Sequence, residues 1–231
     1  MHEWEAIHRA QSLGRWPAEH LVRFATPRAP LLVGGGKPPD LVVELGCGSG
    51  AQLRLLLELG FEVVGLDVSP TAIEKAKSFL VESSGGRLNL MVVDLTAGLP
   101  FDDESVDGIV DVECLMCFPW KVARTLVQEC VRILRPNGWL YSELVDAETN
   151  VRGKPGAGHG EWQNTEIHGR LRNRFLRTTR QSEIKSLFEG LRIDKVERIS
   201  LSTVYPLHES GEKFVANVVL ATKPTRLAPP D

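Results

Sequence analysis

Two tyrosines, Tyr141 and Tyr205, are all the chain carries in 231 residues, and neither is followed by lysine four positions on; Val145 and Glu209 stand there. A Tyr-x-x-x-Lys pair for hydride transfer is therefore excluded. The four cysteines, Cys47, Cys114, Cys117 and Cys130, show no framework spacing, so free thiols and a cytoplasmic location are expected. Cys114 and Cys117 form a lone C-x-x-C. Structural zinc takes four ligands and no second pair lies nearby, so small, buried, apolar-behaving cysteines are the reading, and no metal site is expected. No charge of one sign dominates: 27 Lys+Arg face 30 Asp+Glu, a net of −3. That argues against a whole-surface binder of nucleic acid. No apolar run approaches the roughly 20 residues that span a bilayer, and MHEWEAIHRA lacks the basic stretch and apolar core of a secretory signal. Neither an internal repeat nor a low-complexity domain is present. At 42% hydrophobic and 25% charged, the composition is that of an ordinary globular protein.

What the chain does have is concentrated at residues 41–50, LVVELGCGSG. The run 41–45 is apolar apart from Glu44 and reads as a buried strand of a parallel sheet. Gly46, Gly48 and Gly50 follow at alternating positions, a turn whose backbone can take φ > 0 and approach a ligand closely. Leucines at 53, 56 and 57 then recur at helical spacing. A strand, a glycine turn and a helix start point backbone N–H groups at a bound molecule. Several cofactor folds share that corner, and alone it says only "nucleotide-like ligand". Residues 61–66 read as a second strand, with Asp67 at its end, 21 positions after Gly46. An acid there can accept from both hydroxyls of a ribose.

Five ordered blocks, ELGCGSG, GLDVSPTAIEKAK, VVDLTAGLPF, VDGIVDVECL and RILRPNGWLYSE, lie within about residues 40–145. Together they resemble the class I S-adenosylmethionine-dependent methyltransferases. The resemblance implies an α/β, three-layer Rossmann-like fold: a mostly parallel seven-stranded sheet with an antiparallel C-terminal hairpin and an N-terminal helical lid. The alternation of elements agrees, since βαβα order favours a parallel sheet with right-handed crossovers. Strands are expected near 41–45, 62–66, 88–93, 106–112 and 138–144, and helices near 51–59, 70–82 and 120–134. Ser69-Pro70 is a cap followed by proline at the first helical position. Arg135-Pro136-Asn137-Gly138 reads as a helix-to-strand turn. The expected organisation is a lid and linker over 1–39, a donor-binding core over 40–145, a substrate-side insertion over 146–180, and a helix plus strand pair over 181–223 completing the same domain. The helix is expected at 181–188 and the strands at 192–203 and 213–222. The tail 224–231 reads as disordered.

Within 1–30, Pro17 precedes a helix-like stretch over 18–24. It is either a packing helix closing one edge of the sheet or a lid over the cofactor, with Trp16 or Arg23 facing the site as substrate contacts; N-terminal helices cover the pocket in much of the family. Residues 27–39, rich in proline and glycine, read as linker.

A methyl sulfonium donor has three parts, and the resemblance gives each a partner. Gly46, Cys47, Gly48 and Gly50 would take the methionine moiety, with Glu44 anchoring the loop. Asp67 would hold the ribose. Asp94 and Leu95 would meet the adenine, with Val68 on a ring face; otherwise Asp94 is a carboxylate capping a turn. Asp111 either contacts the methionine amino group or is a hydrogen-bonded strand end. Val112, Glu113 and Cys114 fall where the family positions its acceptor. Methyl transfer is an in-line displacement with a neutral leaving group, so the rate comes largely from alignment at roughly 3–3.5 Å. A base is needed only where the acceptor must lose a proton. Candidates are Glu113, Glu143, His159 and His168, with Glu113 and His168 preferred.

Apart from the blocks, HGRLRNRFLR at 168–177 places His168, Arg170, Arg172 and Arg174 at alternating positions. In an extended chain they share one face. Arginine forks suit carboxylates and phosphates, so an anionic small molecule is one reading and a solvated loop the other. GRWPAEHLVRF, the Asn164–Thr165 region and RTTRQSEIKSLFEGL are similar in pattern to small-molecule methyltransferases of bacterial biosynthetic or modification pathways. The expected partner is a small-molecule methyl acceptor, with no nucleic acid and no membrane; the base-methylating signature of Asp or Asn, Pro, Pro and an aromatic is missing where DVEC stands. The rivals are an NAD(P)-dependent oxidoreductase, since Gly46, Gly48 and Ala51 satisfy G-x-G-x-x-A, and a non-catalytic S-adenosylmethionine-binding regulatory protein. Nothing in the chain indicates an oligomeric state.

Overall fold

The apolar run that opens the glycine corner becomes strand β1 (Leu41–Leu45), at the middle of the sheet. A computed structural model describes residues 2–10, 16–29, 40–80, 84–158, 160–166, 175–202 and 213–225. Strands β2 (Glu62–Asp67), β3 (Leu88–Val92), β4 (Val106–Val112) and β5 (Leu134–Val145) run parallel to β1. The hairpin β9 (Arg192–Ser202) and β10 (Lys213–Thr222) follows, and β10 lies antiparallel to β5. The seven-stranded order is β3-β2-β1-β4-β5-β10-β9. Chain order reverses beside β1, which lies between β2 and β4; open α/β sheets bind ligands outside the strand carboxyl ends at such a point.

Alternation along each strand sorts the core into two layers. Val43 and Leu45 of β1 face a layer closed by α5 (Trp120–Ile133) and α6 (Gln181–Leu187), with Leu126, Val127, Ile184 and Leu187 buried against it. Val42 faces the other layer, covered by α2 (Glu19–Ala25), α3 (Ala51–Glu58) and α4 (Pro70–Leu80) through Leu21, Phe24, Leu53, Leu56, Ile73 and Leu80. Helix α1 (His2–Ala10) packs on α4. Ser69 caps α4 as expected, its Oγ accepting from the Ala72 amide at 3.1 Å.

One strand boundary is corrected. β5 begins at Leu134 rather than 138: the Arg-Pro-Asn-Gly segment sits inside the strand as an irregularity in its register with β4, with Asn137 at φ +66°. Within the insertion, β6 (Arg152–Pro155), β7 (Glu161–Glu166) and β8 (Leu176–Arg177) form a separate antiparallel sheet. Of the two readings of the helix after Pro17, α2 packs on the sheet, its Phe24 ring 5.2 Å from both Trp139 and Tyr141. Of the linker, Thr26–Arg28 is a 3-10 turn; residues 30–39 and 226–231 lie outside the described part.

Candidate functional site

At the carboxyl end of β1 the glycine corner takes the shape its residues demand. Gly46, Gly48 and Gly50 have φ of +64°, +52° and +88°, where a Cβ is strained. A Cβ on Gly46 would also come within 2.7 Å of Cys114 Sγ, so the turn after β4 leans on the glycine loop. The Cys47 amide donates to Leu66 O at 2.9 Å, tying the corner to β2.

Asp67 joins the two loops. Its Oδ2 accepts from the Gly48 amide and its Oδ1 from the Ser69 amide, both at 2.9 Å, and the residue is 6% exposed. A carboxylate offers about four lone-pair sites, so two remain at the loop's mouth. Glu44 lies behind, 3% exposed, and accepts from the Leu53 amide in the first turn of α3. Burial first, then the neighbouring Asp67, pushes its carboxyl well above the usual range. Glu44 Oε2 and Ser49 Oγ, both at this corner, are buried without a protein partner. Such orphans call for a polar occupant or water, and the donor's polar methionine and ribose groups would supply one. The corner therefore fits an adenosyl sulfonium donor.

The remaining expected residues divide. Asp94 caps the 3-10 turn Leu95–Ala97, its Oδ1 accepting from Thr96 N and Oγ1 at 3.0 and 2.7 Å, which holds its carboxyl below the usual range. Oδ2 takes no partner among the described residues, leaving it open to an amine. Leu95 is buried and Val68 half-buried in the loop after β2. Asp111 is a hydrogen-bonded strand end: fully buried, it accepts from the Cys114 and Leu115 amides at 2.9 Å through Oδ1 and from Ser142 Oγ through Oδ2. Burial pushes it up to about 6. That cap, rather than a methionine contact, is what its geometry performs. Cys47 and Cys114 thiols are raised by burial, which keeps them protonated and poor nucleophiles. Cys114 packs on Gly46.

Glu113 is exposed immediately after β4 at φ +61°, a backbone state that costs a non-glycine residue energy and clusters at functional sites. Glu143, at the end of β5, is raised by burial and takes a hydrogen bond from Tyr141 OH. Two expected lid contacts are elsewhere. Trp16 is 81% exposed, and Arg23 pairs with Glu19 on the outer side of α2. It is α1 that reaches the rim: Glu5 accepts from Ser69 Oγ at 2.6 Å, Thr71 Oγ1 at 2.7 Å and Thr71 N at 3.2 Å. His159, His168, Arg170, Arg172 and Arg174 lie outside the described residues. Among the described residues no His/Cys/Asp/Glu cluster could hold a metal ion, and no helix is long and apolar enough to cross a membrane.

Sequence reasoning missed Glu5 and Arg177. Arg177 is fully buried, with Nε on Phe118 O at 3.2 Å, Nη2 on Leu115 O at 3.4 Å and Nη1 on Thr179 Oγ1 at 2.6 Å. Its one signal was its place beside Leu176 at the end of the basic stretch.

A family model described as "Methyltransferase domain" matches residues 43–142. A ubiquinone biosynthesis O-methyltransferase of Nitrosospira multiformis is 23% identical over 78% of this chain and 74% of its own. An 18S rRNA (guanine-N(7))-methyltransferase of Schizosaccharomyces pombe is 30% identical over 33% of this chain and 27% of its own. The chain spans less than half the length of that relative and of several other curated proteins it matches. Among solved structures, a SAM-dependent methyltransferase from Methanosarcina mazei superposes with a TM-score of 0.67 at 22% identity, over 84% of this chain and 97% of that one. With the strand order and the glycine corner agreeing, residues 43–142 are a methyltransferase domain, and the fold is the Rossmann-like one of the class I S-adenosylmethionine-dependent methyltransferases.

Proposed function

We propose that this protein transfers the methyl group of S-adenosylmethionine to an oxygen or nitrogen of a small-molecule acceptor. The observation that carries the reading is the Asp67 carboxylate, which bridges the Gly48 and Ser69 amides and keeps lone pairs for a ribose. The ubiquinone-pathway relative, named for O-methyl transfer, supports a small acceptor. The rRNA methyltransferase matches 33% of this chain and 27% of its own length, too little of either to carry an acceptor assignment.

When bound, the donor supplies an electrophilic methyl group on a positively charged sulfur. Gly46 and Gly48 would let the backbone approach it, Asp67 would hold the ribose, and Asp94 would meet the adenine. Glu113, exposed at the end of β4, accepts the acceptor's proton where one must leave; His168 is the second candidate. Arg170, Arg172 and Arg174 bind an anionic group of the acceptor. Cytoplasmic location is part of the same proposal.

Thermal shift with S-adenosylhomocysteine, with NAD in parallel, tests the donor assignment. At 100 times its Kd a ligand adds about 2.7 kcal/mol, or roughly 5–10 °C in a chain of this size. The expected outcome is a shift with the former alone and none after Asp67→Ala. A shift with NAD only, or an unchanged shift in the variant, overturns the reading. Labelled methyl transfer to a metabolite pool separates an enzyme from a regulatory binder. Unchanged KM after Arg172→Ala and Arg174→Ala removes the anionic acceptor.

A further inference from the structure

The turn after β4 carries the residues nearest the proposed chemistry, and two buried groups of opposite charge hold it from opposite sides. Asp111 takes its donors, the Cys114 and Leu115 amides. Arg177 takes its acceptors, the carbonyls of Leu115 and Phe118. Carboxylate and guanidinium attract each other across the turn without a direct hydrogen bond between them. Asp111 is braced further by Ser142 on β5, and Arg177 by Thr179 Oγ1 and the Trp120 ring, 5.3 Å from its Cζ. Thr179 extends the chain of contacts, its amide donating to Val145 O and its carbonyl accepting from Asn217 Nδ2.

Packing alone does not call for this arrangement. Apolar residues of similar volume often replace a buried ion pair at no loss of stability, whereas removing one partner strands a charge. What the pair does supply is geometry. On one side of the turn, Cys114 lies over Gly46 of the donor corner. On the other, Arg177 belongs to β8, hydrogen-bonded to β7 of the insertion. Leu176 packs with Met116 and Val145, and the Trp120 amide donates to Glu161 Oε1 on β7 at 3.4 Å. Glu113 heads the turn in its strained conformation.

We infer that Arg177 is a positioning residue: with Asp111 it clamps the Leu115–Cys117 turn, so that the small sheet β6–β8 and the glycine corner hold one another in register. This rests on the donor reading above, with the small sheet on the acceptor side. Order in the insertion then favours donor binding and the reverse, as linkage requires.

The clamp itself is tested first by thermal unfolding of Asp111→Asn, Arg177→Met and the double variant. The expected result is that Arg177→Met lowers Tm, and that the double variant recovers part of the loss, by more than Asp111→Asn changes Tm alone, because no charge is stranded. Additive losses overturn the clamp. Should Arg177→Met not fold, Arg177→Lys keeps the charge and loses the fork that reaches both carbonyls. Hydrogen exchange with and without S-adenosylhomocysteine then tests the coupling. In the wild type, ligand is expected to slow exchange at 46–50 and also at 160–166 and 175–179. In Arg177→Lys the corner stays protected, protection of the insertion is lost, and affinity falls about two- to thirtyfold. Equal protection in variant and wild type, or protection of the corner alone in wild type, overturns the coupling. No binding to the wild type at all defeats the donor reading, while the unfolding cycle still decides the clamp.

Discussion

Gly46 shows how little freedom a single position in the corner has. Two separate costs meet any side chain there: the left-handed backbone, roughly 1–2 kcal/mol, and the approach to Cys114 Sγ. Gly46→Ala is expected to lower stability by more than the backbone cost alone and to weaken S-adenosylhomocysteine binding. Adding Cys114→Ala removes the sulfur but leaves the Cys114 Cβ approach at 3.0 Å and the strain, so urea unfolding of the pair is expected to show a partial recovery; full recovery would place the whole cost in the sulfur contact. Asp111 is a second case, and its effect has the opposite sign to that of a salt-bridged acid. Burial raises its carboxyl to about 6, above the unfolded value near 3.9. The native state therefore keeps this proton longer than the unfolded chain, and stability declines as pH rises from about 4 to about 6 and is level beyond. Asp111→Asn keeps the acceptor for the turn amides and removes that part of the slope. Urea midpoints of the two proteins across this range are expected to converge at the acid end, and parallel curves would remove Asp111 as the source.

At the scale of elements, the parts organised by one strong local signal were legible, and those organised by a distant contact were not. β1, β2 and β4, and α3, α4 and α5, follow from period and caps, because each buries a continuous apolar face. β6 escaped because all of its residues are exposed, so no alternation marks it. The lid was sought on α2 because Pro17 and its apolar spacing mark a helix. Spacing cannot say which of two helices meets the rim, since the Glu5 contacts to Ser69 and Thr71 span 64 and 66 residues. Those contacts hold Glu5 down at about 2, the Ser69 hydroxyl first and Thr71 next. For an acid so depressed, the attachment is present above the ordinary carboxylate range and is lost as pH falls toward 2. Glu5→Ala is expected to release α1, seen as faster amide exchange over 2–10 with a nearly unchanged Tm. Unaltered exchange there would show that the packing of α1 on α4 suffices without the carboxylate.

Over the whole molecule, the matched methyltransferase domain is not a self-sufficient body. It ends at residue 142, within β5. Beyond it, β10 forms a ladder with β5 through seven register pairs and separates β5 from the edge strand β9. Val215, Val218 and Val219 of β10 and Ile184, Leu187 and Phe188 of the α6 region are all buried. Burying each such side chain contributes about 1.5–3 kcal/mol. Six of them together are of the order of a domain's entire net stability, about 5–15 kcal/mol. A chain stopped at residue 145 also leaves β5 as a long apolar edge, open to pairing with other copies. Such a fragment is expected to show no cooperative thermal transition and to aggregate, while the full chain melts in one step. If the fragment melts cooperatively and retains S-adenosylhomocysteine affinity, the last helix and hairpin are an addition to the fold rather than part of its core. The buried face of β10, seated between β5 and β9, argues that they are part of it.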